Sequence, residues 1–456
     1  MKPRGKQSEH VARVAGEPTR AALLNLPCGN GKTPIALFVA DEIGAQTVLV
    51  VAPLNTKDGW LNHAKEILPD HPVVVIDSGH KDGFELLRTK AKGFYFITKD
   101  YFALSGTSLP VKIREGLPPT KGRTQVFDWK RVAPDLLVFD ESHLGTNRAT
   151  AVFKVLVQPK AKFKLAMSAT PAGNRFDGLW ETTRWLWPDH IDRSKQRWVV
   201  QWCATEYNPH NYSKIKVVGE RNPGAFVASL PCYVTDEPVG KVPVKVINVT
   251  TPLTVSQRAQ YDKMKRDAFI WIEENPLVAE FPMVKKIRLR QIALGEVTFN
   301  ADDEVDFADD CKSVKIDACQ QIIKRHPNEP ILFLTDSKRF AKVLAKRIGG
   351  VAWTGDLAPA KRPALKAAFG VSVQYIVAVI GAFGTGTDGI QARCSIEVWC
   401  NRSFNGTDNE QCEGRLNRQG QKAPFVTRYN LTAPSSGDTL DFEKLMEQRH
   451  TLKASL

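Results

Sequence analysis

Three strings in this sequence carry residue types suited to phosphate chemistry. Pro27-Cys28-Gly29-Asn30-Gly31-Lys32-Thr33 lies between an apolar run, Ala22-Leu23-Leu24, and the helix-like Ile35-Ala36-Leu37-Phe38-Val39. Strand, glycine loop and helix in that order can form a phosphate cradle. The small residues let backbone N–H groups approach phosphate oxygens, and the helix N-terminus adds partial positive charge. Lys32 is then expected to reach the β- and γ-phosphates of a nucleotide, and Thr33 to ligate Mg²⁺. Leu26 stands where the usual pattern has its first glycine, so the string alone also reads as a glycine-rich turn.

About a hundred residues on, Leu136-Leu137-Val138-Phe139 runs into Asp140-Glu141-Ser142-His143. An apolar strand ending in two acids sets carboxylates at the carboxyl edge of a parallel sheet, where such sheets bind ligands. Asp140 suits Mg²⁺, and Glu141 suits the orientation and deprotonation of an attacking water. The third string, Gln411-Cys412-Glu413-Gly414-Arg415-Leu416-Asn417-Arg418, spaces two arginines three apart, on one face if helical. Planar guanidinium groups suit the spreading negative charge of a phosphoryl group in transfer.

The elements needed to hold these groups are legible as well. Short β-branched runs at 47–52, 73–77, 94–98, 136–140 and 163–167 alternate with helix-compatible sequence. That alternation predicts a parallel sheet covered by helices, with strands that read as continuous apolar blocks because both faces are buried. The pattern resumes at 331–335, 375–380, 396–400 and 426–431 and predicts a second α/β lobe. Between the two series the chain changes character. Trp and Pro cluster at Trp185-Leu186-Trp187-Pro188, helical periodicity spans 256–274, and the acidic run Asp302-Asp303-Glu304-Val305-Asp306 reads as a solvated linker. The expected division is 1–190, 191–310 and 311–456: a first lobe, a helical inter-lobe segment and a second lobe.

A chain of 456 residues exceeds what one core usually supports, which agrees with two lobes. Lys and Arg number 63 against 49 acids, a formal charge of +14 that favours a polyanionic partner. None of the eight cysteines pairs at C-x-x-C spacing, which argues against a zinc site, and no apolar stretch is long enough to span a bilayer. A reduced, cytoplasmic protein without membrane contact is the expectation.

Taken together the motifs resemble helicase superfamily 2 and, within it, the Swi/Snf-type DNA-translocating ATPases. The loop at 27–33 and Asp140-Glu141-Ser142-His143 match motifs I and II. Ser168-Ala169-Thr170-Pro171, with Asn174, Leu179-Trp180 and Trp185 to Pro188, resembles motif III and its Swi/Snf-specific tail. Pro252 to Arg258 with Tyr261, Arg288-Leu289-Arg290-Gln291 and Ser313-Val314-Lys315 are similar to the family's inter-lobe blocks. Ile331 to Thr335 looks like motif IV, Gly384 to Ile390 like motif V, and Gln411 to Arg418 with Gln419-Gly420-Gln421 like motif VI. Two departures, Asn25-Leu26-Pro27-Cys28 ahead of the loop and S-A-T-P in place of G-T-P, mark a divergent, compact member, and that compactness suits a phage or mobile-element protein.

The resemblance implies an α/β fold of two RecA-like lobes, each a parallel sheet flanked by helices, with ATP in the cleft between them. It implies ATP with Mg²⁺ held by Gln7, which would read the adenine edge, and by Gly29, Asn30, Gly31, Lys32, Thr33 and Asp388, with Mg²⁺ itself on Thr33 and Asp140. Lys32, Asp140, Glu141, Arg415 and Arg418 are the implied catalytic set, and His143, Ser168, Thr170 and Gln411 couple hydrolysis to lobe movement. Asn55, Thr56, Lys57, Thr98, Tyr101, Ser337, Lys338 and Thr385 would meet phosphates of the tracked strand, positioning the protein without reading sequence. The implied activity is ATP-dependent translocation on double-stranded or branched DNA by a monomer, serving replication, recombination or repair. A strand-separating DNA or RNA helicase shares every ATP motif and is the alternative.

Overall fold

A computed structural model describes residues 1–80, 82–106, 127–145, 150–207, 215–267, 269–272, 275–278, 282–299, 305–384 and 389–436. The chain forms two compact units, the first ending at Pro238 and the second beginning at Val239.

In the first unit the apolar runs become β1 (Ala21–Asn25), β2 (Thr47–Ala52), β3 (Val73–Ile76), β4 (Gly93–Thr98), β5 (Leu136–Asp140) and β6 (Phe163–Ser168). After an antiparallel hairpin, β7 (Cys203–Tyr207) and β8 (Ile215–Glu220), comes β9 (Tyr233–Thr235). The sheet order is β3-β4-β2-β5-β6-β1-β9, and every neighbouring pair is parallel. Parallel neighbours require crossovers, and these are largely helical, which is why β2 and β5 are buried at every residue.

Register decides what the carboxyl edge carries. Asn25 of β1 pairs with Ser168 of β6, and Asp140 of β5 pairs with Met167 of β6. Three adjacent strands therefore end together, delivering the phosphate loop, the Asp140-Glu141 pair and Ser168 to one edge.

The second unit contains β10 (Val244–Thr250) and the antiparallel pairs β11 (Phe269–Ile272) with β12 (Asn275–Val278) and β13 (Thr298–Phe299) with β14 (Val305–Asp306). Its main strands are β15 (Ile331–Thr335), β16 (Val351–Trp353), β17 (Tyr375–Val379), β18 (Ile396–Trp399) and β19 (Val426–Thr432). They form a six-stranded parallel sheet in the order β10-β19-β18-β15-β17-β16. The expected α/β class with two helix-flanked parallel sheets is thus observed.

Residues up to Pro238 belong to the first unit, and β10 joins the second sheet. Among the described residues no helix is long and apolar enough to cross a membrane.

Candidate active site

The phosphate loop is built on two left-handed residues. Gly29 has φ 93° and Gly31 has φ 78°, conformations that glycine adopts without steric cost. Gly31 caps the helix Lys32–Glu42, whose first amides have no intrahelical partner and so suit an anion. The Lys32 ammonium folds back over the loop, donating to the carbonyls of Leu26 at 2.7 Å and Pro27 at 3.4 Å. Thr33 follows in the first turn, half-buried.

Gln7 lies against this loop: a Cβ at Gly31 would collide with its side-chain amide. Its Oε1 accepts the Arg4 amide at 2.9 Å. Asn30 turns its side chain elsewhere, donating to the carbonyl of Glu237 at 2.8 Å, and so anchors the loop from behind.

Asp140 is buried and bonded to neutral donors. Its Oδ2 accepts the Trp60 indole N–H at 3.0 Å and its Oδ1 accepts the Glu141 amide at 2.9 Å. Burial, and then the neighbouring Glu141 carboxylate, push its pKa up to about 6, against the opposing pull of Trp60 and Lys32. Glu141 itself sits at φ 52°, a left-handed backbone that costs a non-glycine residue about 1–3 kcal/mol. The turn aims its carboxylate at His143, whose Nδ1 lies 3.3 Å from Oε2. The same Nδ1 shares a hydrogen bond with Ser168 Oγ at 3.0 Å, and Ser168 Oγ accepts the Thr170 amide at 3.0 Å. A continuous polar path therefore links Glu141, His143, Ser168 and Thr170. The Thr170 hydroxyl is buried without a hydrogen-bond partner among the described residues.

The donor set fits Mg²⁺. Thr33 and Asp140 offer hard oxygens, and Mg²⁺ commonly takes one or two protein oxygens, waters and substrate phosphates. Asp140, raised by burial with Lys32 as the cation opposing the shift, is the kind of carboxylate a dication would stabilise.

The residues expected to meet nucleic acid in this unit share one edge, since Ala52 of β2 and Thr98 of β4 are in register. Asn55, Thr56 and Lys57 follow β2 and are half-buried. Thr56 Oγ1 donates to the Pro53 carbonyl at 2.8 Å. Thr98 Oγ1 accepts the Tyr101 amide at 3.2 Å, and the Tyr101 ring lies 6.1 Å from Phe84. The hydroxyls of Thr56 and Thr98 are thus already used to shape their turns.

In the second unit the two arginines do not share a helical face. The helix Gly406–Leu416 ends before Arg418 because Asn417 is its C-cap, and the Asn417 Oδ1 accepts the Val242 amide at 2.9 Å. Arg415 is buried and its Nε donates to the Gly384 carbonyl at 3.0 Å, whereas Arg418 lies half-buried in the following turn. Arg415 thus braces the start of the 384–390 loop. Thr385 and Asp388 of that loop lie outside the described residues. Gln411 is 1% exposed, and neither amide atom has a hydrogen-bond partner among the described residues. Ser337 caps the helix Lys338–Ile348, accepting the Phe340 amide at 3.3 Å, and Lys338 pairs with Asp356 at 2.6 Å on the surface.

Sequence reasoning missed Trp60, whose spacing with Ala64 and Ile67 reads as plain core. It also missed Asp236, which binds Lys6 and His10 more than 220 residues away. No local pattern announces either contact.

Residues 1–173 match the family model described as the type III restriction enzyme res subunit. The chain is 23% identical over 253 residues to the ISWI chromatin-remodeling complex ATPase ISW1 of Saccharomyces cerevisiae, covering 51% of this chain and 21% of that protein. It is 25% identical over 179 residues to Protein CHROMATIN REMODELING 20 of Arabidopsis thaliana, covering 36% of this chain and 12% of that one. The chain is thus similar in sequence to chromatin-remodelling ATPases and, over residues 1–173, to a helicase-related restriction subunit.

It spans about a fifth or less of the length of those two relatives. A solved structure described as the Sulfolobus solfataricus SWI2/SNF2 ATPase core in complex with dsDNA aligns over 99% of this chain and 92% of its own, at 18% identity and a TM-score of 0.43.

Proposed function

We propose that this chain is a Swi/Snf-type ATPase that hydrolyses ATP to translocate along double-stranded DNA, remodelling DNA structures or DNA–protein complexes in replication, recombination or repair. The observation that carries the reading is the joined carboxyl edge, where the phosphate loop, Asp140-Glu141 and the His143-Ser168-Thr170 path end side by side. Lys32 leaves its loop carbonyls for the β- and γ-phosphates, and the Gly29–Gly31 amides hold the phosphate oxygens. Thr33 and Asp140 would hold Mg²⁺, which when bound would supply charge neutralisation at the phosphates. Glu141 orients a water and accepts its proton as the water oxygen bonds to the γ-phosphorus and the bond from that phosphorus to the β–γ bridging oxygen breaks, releasing phosphate and ADP.

His143, Ser168 and Thr170 carry the state of Glu141 to the end of β6. From the second unit, Arg418 stabilises the transferring phosphoryl group, while Arg415, Asp388 and Gln411 shape and sense that site during turnover. Asn55, Thr56, Lys57, Thr98, Tyr101, Ser337, Lys338 and Thr385 contact phosphates of the tracked strand. Binding is independent of sequence and weakens with salt, as the +14 charge favours.

The test compares ATPase rates on duplex, single-stranded, forked and RNA substrates, together with ATP-dependent displacement of a third strand from a triplex. Duplex stimulation with triplex displacement is expected, with little unwinding of a tailed duplex. Efficient unwinding of tailed duplexes with no triplex displacement would install the strand-separating helicase in its place.

A further inference from the structure

The last residues of the first unit run beneath the phosphate loop as a strap. β9 pairs with β1 so that Leu23 faces Tyr233 and Asn25 faces Thr235. Asn25, the last residue of β1, donates its side-chain amide to the Tyr233 hydroxyl at 2.5 Å. Asn30, in the middle of the loop, donates to the Glu237 carbonyl at 2.8 Å. Between these two ties stands Asp236, whose carboxylate turns to the N-terminal helix Gln7–Ala15. Its Oδ1 receives Lys6 Nζ at 2.8 Å and the Glu237 amide at 2.9 Å, and its Oδ2 lies 3.3 Å from His10 Nε2.

We propose that Asp236 is a positioning residue for nucleotide recognition: it clamps the first turn of this helix, and with it Gln7, against the phosphate loop. Gln7 sits between the two clamped residues, one after Lys6 and three before His10. No side chain caps the helix N-terminus, and besides the clamp the polar side-chain contact described in its first turn is the Arg4 amide on Gln7 Oε1, which ties Gln7 only to the chain just before it. A carboxylate beside a helix N-terminus is also favoured by the helix dipole. Asp236 is held below the usual carboxylate range, chiefly by Lys6, so it carries its charge at neutral pH. The rest of the helix is seated by Val11 and Val14 in the core, independently of the clamp. Loss of Asp236 should therefore free Gln7 without unfolding the unit. The same strap continues directly into Val239, the first residue of the second unit, so the segment that reads the loop is the segment that leaves it.

The proposal rests on Gln7 being the adenine contact, and the test separates the two. Steady-state ATPase is measured with ATP and with GTP for the parent chain, Gln7→Ala, Asp236→Ala, Asp236→Glu and the Gln7→Ala/Asp236→Ala double variant. Gln7→Ala is expected to raise the KM for ATP about tenfold and to erase the preference for ATP over GTP, the scale of one lost hydrogen bond. Asp236→Ala is expected to raise the KM for ATP about five- to tenfold with kcat within about twofold, to leave the KM for GTP unchanged, and to add nothing to Gln7→Ala, as residues acting through one contact do. Asp236→Glu, which keeps the charge, should recover part of the affinity. If Gln7→Ala shifts the preference and Asp236→Ala leaves the KM for ATP alone, the clamp is wrong and the adenine contact stands. A drop in kcat with both nucleotides and a lower Tm in Asp236→Ala would reduce Asp236 to a structural residue and overturn the proposal. Should Gln7→Ala leave the preference intact, the adenine contact falls and the clamp with it.

Discussion

Both units bury acids against their sheets, and the two sets are treated in opposite ways. In the second unit Glu397 is fully buried and bonded to Arg428, while Glu413 meets Arg402 at 2.6 Å and Arg428 at 3.3 Å. The Arg402 guanidinium also lies 3.5 Å from the centre of the Trp399 ring. Two acids and two arginines balance within the cluster. In the first unit, Asp140 is bonded to an indole and a backbone amide, and its nearest acid, Glu141, repels it. Burial raises the pKa of both Asp140 and Glu397, but only Glu397 has an arginine directly bonded to it. Buried acids matched by cations of the same chain serve as scaffold. Acids left to neutral donors suit a cation that arrives with the substrate.

The contrast breaks most visibly at Glu141. Glu141→Gln keeps the size and the left-handed turn but removes the base, so DNA-stimulated turnover should fall by about 10²–10⁴-fold while ATP binding persists. A fluorescent ATP analogue and a phosphate-release assay check the two halves, and normal turnover in this variant would end the assignment.

The opposite outcome is expected in the scaffold cluster. Arg428→Ala leaves Glu397 buried without its cation and should cost about 3–5 kcal/mol in chemical denaturation of the second unit. Paired replacement of Glu397 and Arg428 by apolar residues of similar volume should recover much of that loss. If the single variant proves as stable as the parent, the cluster is not scaffold.

A finer version of the comparison lies inside motif VI. Arg415 is buried on the Gly384 carbonyl and Arg418 is not, so Arg415→Ala should lower Tm as well as turnover. Arg418→Ala should leave Tm unchanged and reduce turnover by about 10-fold or more, the range of a lost charge-stabilising contact. Equal Tm for both variants would cancel the distinction.

The smallest effect concerns an acid outside both clusters. Burial opposes ionisation of Asp135, but its bonds to Lys162 and to the Thr47 and Gln46 amides outweigh this and hold its pKa below the ordinary value. A depressed carboxylate stabilises the fold above its unfolded-state pKa, and the contribution is lost as pH falls through the lower folded-state value. Asp135→Asn should therefore lower Tm by about 2–4 °C at pH 7, and the gap should close as the pH falls below the ordinary carboxylate range. A gap independent of pH would show that hydrogen-bond geometry, not charge, is what Asp135 supplies.

Much of the architecture was legible because parallel strands buried on both faces must be written as unbroken apolar strings. The runs at 47–52, 136–140 and 331–335 coincide with β2, β5 and β15. β10 escaped notice for the converse reason. Its Val-Lys-Val-Ile-Asn-Val-Thr string is an edge strand with several exposed residues, and it lacks the run of apolar residues that marked the other strands. The second unit begins at Val239, and β10 is its first strand.

Sequence by itself determined the chemistry that is local in the chain: a glycine loop between a strand and a helix, acids closing an apolar strand, and two arginines spaced three apart. These are properties of a few consecutive residues, and backbone sterics and strand burial act over that length. Only the tertiary structure decided which partner each group meets. Trp60 reaches Asp140, Arg415 turns to Gly384 while Arg418 does not, and Asp236 returns to Lys6 and His10 across more than 220 residues. Such contacts depend on strand order and register, which are settled by packing the whole sheet and leave no mark at either end of the contact.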